Sequence, residues 1–156
     1  MEYKVSAAQA LAALKNCYRE YIEGYQELQA GITVQDILAG WVGGGKVKEQ
    51  QGALYEQYFT KGRSCVEDLC AAVKDLEAEE AETWVQKGIE VILFYKQTDS
   101  DLNIMLIAME TLAEPLIPLL DQAAAKELLE QYRKRTPKYR MLPNQSKLLK
   151  LMKKNA

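Results

Sequence analysis

The first 114 residues contain no proline, and this feature constrains the fold of the chain more than any other. Proline breaks the interior of a helix, so a long stretch without it is open to long helices. Within this stretch, apolar residues recur at alternating steps of four and three, which is the spacing of one helix face. On the first predicted helix they are Ala7, Leu11, Leu14, Tyr18, Tyr21, Tyr25, Leu28 and Ile32. We therefore expect an apolar seam packed into a helical bundle.

The rest of the chain divides into further helical segments with recognisable start and stop residues. Helices are predicted at about 6–29, 33–40, 46–77, 80–96, from Asp99 or Ser100 to about 116, from Asp121 to about 133, and at 146–154. Residues 91–95 form the single run that resembles a strand, and one strand cannot make a sheet. The prediction is an all-α bundle of four to five helices, an extended connector over 136–145 and a short terminal helix.

The size and composition of the chain indicate one domain with a sufficient core. It has 156 residues, 48% of them hydrophobic, so stability requires neither disulfides nor a structural metal. The three cysteines, Cys17, Cys65 and Cys70, are read as reduced thiols at core or boundary positions. No basic leader precedes an apolar run at the start, and the longest uncharged apolar run, Leu102–Met109, is too short to span a membrane. We expect a cytoplasmic protein without a transmembrane segment.

The chain contains no histidine. Histidine is the commonest general base and the commonest metal ligand, so its absence removes Ser-His-Asp and Cys-His hydrolysis and His-ligated zinc from consideration. The sequence also lacks a complete catalytic motif of another kind. We therefore expect a protein that is not an enzyme and needs no cofactor.

Charge is distributed unevenly along the chain. Residues 1–132 carry all 22 acidic and 11 of the 20 basic side chains, a net charge of −11, whereas residues 133–156 carry nine basic side chains and no acid. We read 1–132 as an acidic helical bundle and 133–156 as a basic arm that is not an independent domain. This asymmetry is the strongest functional signal in the sequence.

Two weaker motifs suggest phosphate or metal chemistry. Residues 40–46 fit G-x-x-x-x-G-K, the start of a phosphate-binding loop, but Val47 cannot hold magnesium, and no buried strand precedes the loop. Glu20, Glu23 and Glu27 have a spacing with which helical enzymes hold magnesium, but they lie opposite the tyrosine seam. We read the loop as a flexible turn and the glutamates as a solvated face. An enzyme with a carboxylate-bound metal or a nucleotide remains the third hypothesis.

The basic arm and one tryptophan supply the candidate partner-binding residues. Pro137 and Tyr139 interrupt the basic run, a mixture that could hold phosphates beside one stacking ring. Trp41 lies between glycines, outside the helical pattern, either against the core or exposed to a partner. The candidates are Arg133, Lys134, Arg135, Lys138, Tyr139, Arg140, Lys147, Lys150 and Trp41.

These candidates lead to two main hypotheses for function. The first is a non-enzymatic adaptor or regulator that binds a protein partner, or a second copy of itself, through helical surfaces and the arm. The alternative is a nucleic-acid-associated protein whose residues 133–156 contact phosphates. The arm could also lie on an anionic membrane, or dock on its own chain at the acidic cluster formed by Asp75, Glu77, Glu79, Glu80 and Glu82.

Overall fold

The computed structural model describes residues 5–31, 46–95 and 100–156, and the regular structure in these ranges is entirely helical. The α-helices within these ranges are α1 (Ala7–Ala30), α2 (Lys46–Val73), α3 (Ala78–Leu93), α4 (Ser100–Met109), α5 (Gln122–Arg135) and α6 (Pro143–Asn155). Short 3-10 helices lie between α4 and α5, at Glu110–Ala113 and Ile117–Leu119, and between α5 and α6, at Lys138–Arg140. The prediction of an all-α protein is confirmed.

Helix α1 begins and ends where its sequence signals lie. The backbone N–H of Gln9 donates to Ser6 Oγ at 3.1 Å, and the backbone N–H of Ser6 donates to Gln9 Oε1 at 3.0 Å. This reciprocal pair satisfies two backbone donors at the start of the helix. At the other end, the Gly31 N–H bonds to the Glu27 carbonyl at 3.1 Å. The predicted seam is confirmed from Ala7 through Tyr25, since Ala7, Leu11, Leu14, Tyr18, Tyr21 and Tyr25 are all buried.

Helices α1 and α2 pack antiparallel against each other. Lys61 Nζ lies 3.1 Å from Glu20 Oε2, whereas one turn further along α1, Gly24 faces Leu54. Residue numbers therefore fall along α2 as they rise along α1. Gly24 has no side chain, so the Leu54 methyl groups can approach the α1 backbone. This pair forms one wall of the core.

Helix α3 and the 3-10 turns close the core against α2. A Cβ on Gly62 would lie 2.8 Å from Leu112 Cδ1, and a Cβ on Gly88 would lie 2.7 Å from Leu69 Cδ2. Both distances are shorter than carbon atoms tolerate, so glycine is what permits these close approaches. Within α2, Gly62 therefore marks a close contact between helices, whereas Gly52 has open space around it.

The basic tail is packed into the fold, in place of the extended arm expected from the sequence. Residues 133–135 are the last turn of α5, and α6 begins at Pro143 instead of Ser146. Proline lacks a backbone N–H. It is tolerated at this position because N–H groups in the first turn of a helix have no acceptor within the helix. Leu148 and Met152 on α6 have no exposed surface. Helix α6 packs mainly on α5 and on the two 3-10 turns that follow α4.

Candidate functional site

One carboxylate is completely buried where four segments meet. Glu110, with 0% exposure, lies in the 3-10 turn after α4. Its Oε1 accepts hydrogen bonds from the Tyr132 hydroxyl at 3.0 Å and from Arg135 Nη1 at 3.2 Å. Its Oε2 accepts bonds from the Tyr95 hydroxyl at 2.9 Å and from Gln145 Nε2 at 3.0 Å. We call these five residues the Glu110 cluster.

Arg135 is the cation of this cluster. Its Nη1 also donates to Thr136 Oγ1 at 3.2 Å, and its guanidinium carbon lies 4.7 Å from the centre of the Tyr95 ring. The side chain of Arg135 is 22% exposed, while that of Glu110 is 0% exposed. The ion pair therefore stands at the border of the core, with the anion inside and the cation reaching the surface.

Burial dominates the ionisation of the Glu110 cluster. It raises the pKa of Glu110 above that of an ordinary glutamate, although Arg135 and the hydrogen bonds from Tyr95, Tyr132 and Gln145 act in the opposite direction. The pKa values of Tyr95 and Tyr132 are also raised, first by burial and then by the neighbouring carboxylate. Each Glu110 oxygen accepts two hydrogen bonds, so the carboxylate joins these segments and orients Arg135.

Sequence reasoning singled out Arg135 and missed the residue that holds it. The sequence does mark Glu110 as unusual, because it is the single acidic residue in the run 102–113. Leu106 and Ala113, at helical spacing on either side of it, are both fully buried. An acid on an apolar face requires hydrogen-bond donors. The donors come from distant parts of the sequence, so the sequence alone does not identify them.

A cleft of about 400 Å³ opens beside the Glu110 cluster. It lies where the end of α3, helix α4, the end of α5 and the start of α6 come together. We call it the arginine cleft, since both Arg135 and Arg140 line it. Its other lining residues include Tyr95, Asn103, Ile107 and Thr136.

A second concave surface lies between the prolines after α4 and helix α6. It encloses about 630 Å³, and its apolar walls are Pro115, Pro118 and Leu151. The cations that border it are Lys147, Lys150 and Lys154, and we call it the lysine groove. Lys147 Nζ lies 3.5 Å from Glu114 Oε1, in an ion pair whose lysine side chain is 73% exposed.

The structure distributes the predicted partner-binding residues over separate surfaces. Lys147 and Lys150 lie at the lysine groove, and Arg135 and Arg140 lie at the arginine cleft. The exposed residues Arg133, Lys134, Lys138 and Tyr139 line neither of these surfaces, and Tyr139 is 81% exposed with Arg140 over its ring at 5.5 Å. Trp41 lies outside the described residues.

The contacts of the tail differ from the expected electrostatic docking. Its ion pairs in the described ranges are Arg135 with Glu110 and Lys147 with Glu114. Both acids lie in the segment just after α4, and neither belongs to the acidic cluster of residues 75–82. The apolar contacts of Leu148 and Met152 fix this position. Both buried apolar side chains and these ion pairs hold the tail on its own chain.

The remaining sequence candidates are the glutamates considered for metal binding and the glycine loop considered for phosphate binding. Glu23 and Glu27 are exposed, and Glu20 pairs with Lys61, as predicted for a solvated face. Residues 40–45 of the glycine loop and the predicted helix 33–40 lie outside the described residues. Where the structure is described, no group of three or more Cys, Asp and Glu is placed to hold a metal ion. No helix there is both long and apolar enough to cross a bilayer.

Three comparisons with known proteins return nothing similar: no family model, curated protein or solved structure matches this chain.

Proposed function

We propose that this chain is a non-catalytic helical interaction module that binds an acidic, partly apolar segment of a protein partner in the lysine groove. The observation that carries this proposal is the combination of apolar walls with a border of three lysines. Apolar walls favour side chains such as leucine, and the lysines favour aspartate and glutamate. A segment that carries both kinds of side chain would satisfy the whole surface.

The lysine groove rests on a well-anchored helix. Leu148 and Met152 fix the inner face of α6 in the core. Lys147, Lys150 and Lys154 follow one another at steps of three and four, so they share a different face of the same helix. A partner would therefore meet cations whose backbone positions are already set, and binding would not require ordering of the helix.

The apolar walls favour a protein partner over nucleic acid. A phosphate backbone would neutralise the lysines and leave Pro115, Pro118 and Leu151 without apolar contact. A protein segment covers both kinds of surface at once. Exposed charge pairs contribute only about 0–1 kcal/mol each, so burial on these walls would supply much of the affinity.

The experiment uses a synthetic amphipathic helical peptide with glutamates on one face and leucines on the other. Its binding to the full chain is measured by fluorescence anisotropy. The triple variant Lys147→Glu, Lys150→Glu, Lys154→Glu should weaken binding by about tenfold or more, since three favourable pairs become repulsive. Leu151→Ser should also weaken it.

The matched control is Arg133→Glu, Lys134→Glu, Lys138→Glu, which makes the same change in net charge on exposed residues that do not line the groove. We expect this control to bind the peptide nearly as the parent does. Equal losses of affinity in both triple variants would show that net charge alone attracts the peptide, which would contradict the proposal. Tight binding of duplex DNA, with a steep salt dependence and no effect of Leu151→Ser, would favour the nucleic-acid hypothesis instead.

A further inference from the structure

We infer that the arginine cleft binds a small organic anion, a carboxylate or a phosphate monoester with an apolar body, between Arg135 and Arg140. This site is separate from the lysine groove and takes a different class of ligand, so it does not depend on the proposed function. The inference rests on a fixed guanidinium, a second cation, the start of a helix and a cleft of suitable size.

The guanidinium of Arg135 is held in place before any ligand arrives. Its Nη1 donates to Glu110 at 3.2 Å and to Thr136 at 3.2 Å. The Tyr95 ring supports its face at 4.7 Å. A guanidinium has five N–H donors in a rigid plane. Its planar array of donors suits the paired oxygens of a carboxylate or a phosphate at the side that lines the cleft.

The electrostatics of the cleft favour an anion. Glu110 exposes no surface and is not among the residues that line the cleft, while Arg140 lines the cleft and is exposed. Gln145, in the first turn of α6, is also part of the lining, so the positive end of that helix lies at the same place. The C-terminal end of α5, which carries a partial negative charge, also lies at the cleft. The positive charge of Arg135 in the last turn of this helix offsets that partial charge.

The lining also defines the size and body of the ligand. A volume of about 400 Å³ falls in the lower part of the range for small-molecule sites. Ile107 and Pro137 offer apolar surface, and Asn103 and Thr136 offer polar groups. A group the size of one aromatic ring, bearing one anionic head, matches this arrangement.

The experiment titrates the ¹⁵N-labelled full chain with phenyl phosphate and with benzoate, and follows amide signals by NMR. We expect saturable shifts at the Asn103 and Gln145 side-chain amides and at the Thr136 backbone amide. Arg140→Gln should raise the dissociation constant by about tenfold or more, the usual effect of losing a charge-assisted contact. Arg133→Gln removes one exposed arginine outside the cleft and should leave the dissociation constant unchanged.

Either anion alone or both would support the inference, and the preferred one identifies the head group. Benzylamine, which carries the opposite charge on a similar ring, should give no saturable shift. The inference is overturned by the absence of saturable shifts with both anions. It is also overturned if the shifts centre on Lys147, Lys150 and Lys154, or if they persist unchanged in Arg140→Gln.

Discussion

The hydroxyls of Tyr95 and Tyr132 donate to opposite oxygens of one carboxylate, at 2.9 Å from Glu110 Oε2 and 3.0 Å from Glu110 Oε1. Tyr95 follows the end of α3, and Tyr132 lies on α5, so this carboxylate joins the segment after α3 to a helix that is distant in sequence. Arg135 and Gln145 complete its hydrogen bonds. The strongest expectations for stability follow from this arrangement.

Glu110→Gln should lower the free energy of unfolding by about 3 kcal/mol. Removal of one partner of a buried ion pair costs about 3–5 kcal/mol, and the lower end applies because Arg135 is partly exposed. Chemical denaturation near pH 7 measures the change. Glu114→Gln is the control, since its pair with Lys147 is mostly exposed, and it should cost less than about 1 kcal/mol. Equal costs would contradict the role of Glu110.

Removal of a tyrosine hydroxyl should have opposite effects at two buried positions. Tyr132→Phe deletes a donor to Glu110 and should cost about 1–3 kcal/mol. Tyr21 is fully buried, and its hydroxyl has no hydrogen-bond partner in the described structure. Tyr21→Phe should therefore be neutral or slightly stabilising. Thermal unfolding compares the two variants, and a large loss for Tyr21→Phe would reveal a partner for that hydroxyl.

The stability conferred by Glu110 should depend on pH. Burial raises the pKa of Glu110 in the folded chain above the ordinary value of about 4.3. Between these two values the folded state binds a proton that the unfolded state does not, so the proton-linked part of this stability is largest below the ordinary pKa and is lost as the pH rises through the raised pKa. The contribution of the ion pair and hydrogen bonds near pH 7 is separate from this part. The cost of Glu110→Gln should shrink over the same interval. If the cost of Glu110→Gln grew with pH instead, the effect of Arg135 on the pKa of Glu110 would be larger than the effect of burial.

Two glycines should respond in opposite ways to the same substitution. Gly88→Ala places a Cβ 2.7 Å from Leu69 Cδ2 and 3.2 Å from Leu116 Cδ1, and both leucines are fully buried. Overpacking of this kind costs about 1–3 kcal/mol. Gly52→Ala is the control, because nothing lies within 4 Å of its Cβ inside α2, and it should stabilise by about 0.5–1 kcal/mol. Urea denaturation of both variants measures the difference.

The helical architecture could be predicted because its signals are local. The seam from Ala7 to Tyr25, the start of α1 near Ser6, and the start of α5 at Asp121 each depend on residues within a few turns. Asp121 accepts the Ala124 N–H at 2.7 Å, as its capping role requires. Boundaries near proline were less accurate, since Pro143 begins a helix that the sequence placed three residues later.

The two candidate sites could not be predicted because they join residues far apart in sequence. The lysine groove combines the prolines after α4 with the outer face of α6. The arginine cleft combines the ends or starts of several helices. The charge pattern drew attention to residues 133–156, but charge alone does not show which part of the chain Leu148 and Met152 pack against. Long-range packing decided which of the cations share a surface.

The enclosure of Glu110 also bears on how long the folded chain survives before it opens. Its donors lie 15, 22, 25 and 35 residues away along the sequence, so the carboxylate can leave water only after α3, α5 and α6 have assembled around it. Interactions that form after the rate-limiting step of folding act mainly on the unfolding rate. We therefore expect Glu110→Gln to raise the unfolding rate more than it lowers the folding rate, so that Glu110 affects the lifetime of the native state more than the speed at which it is reached.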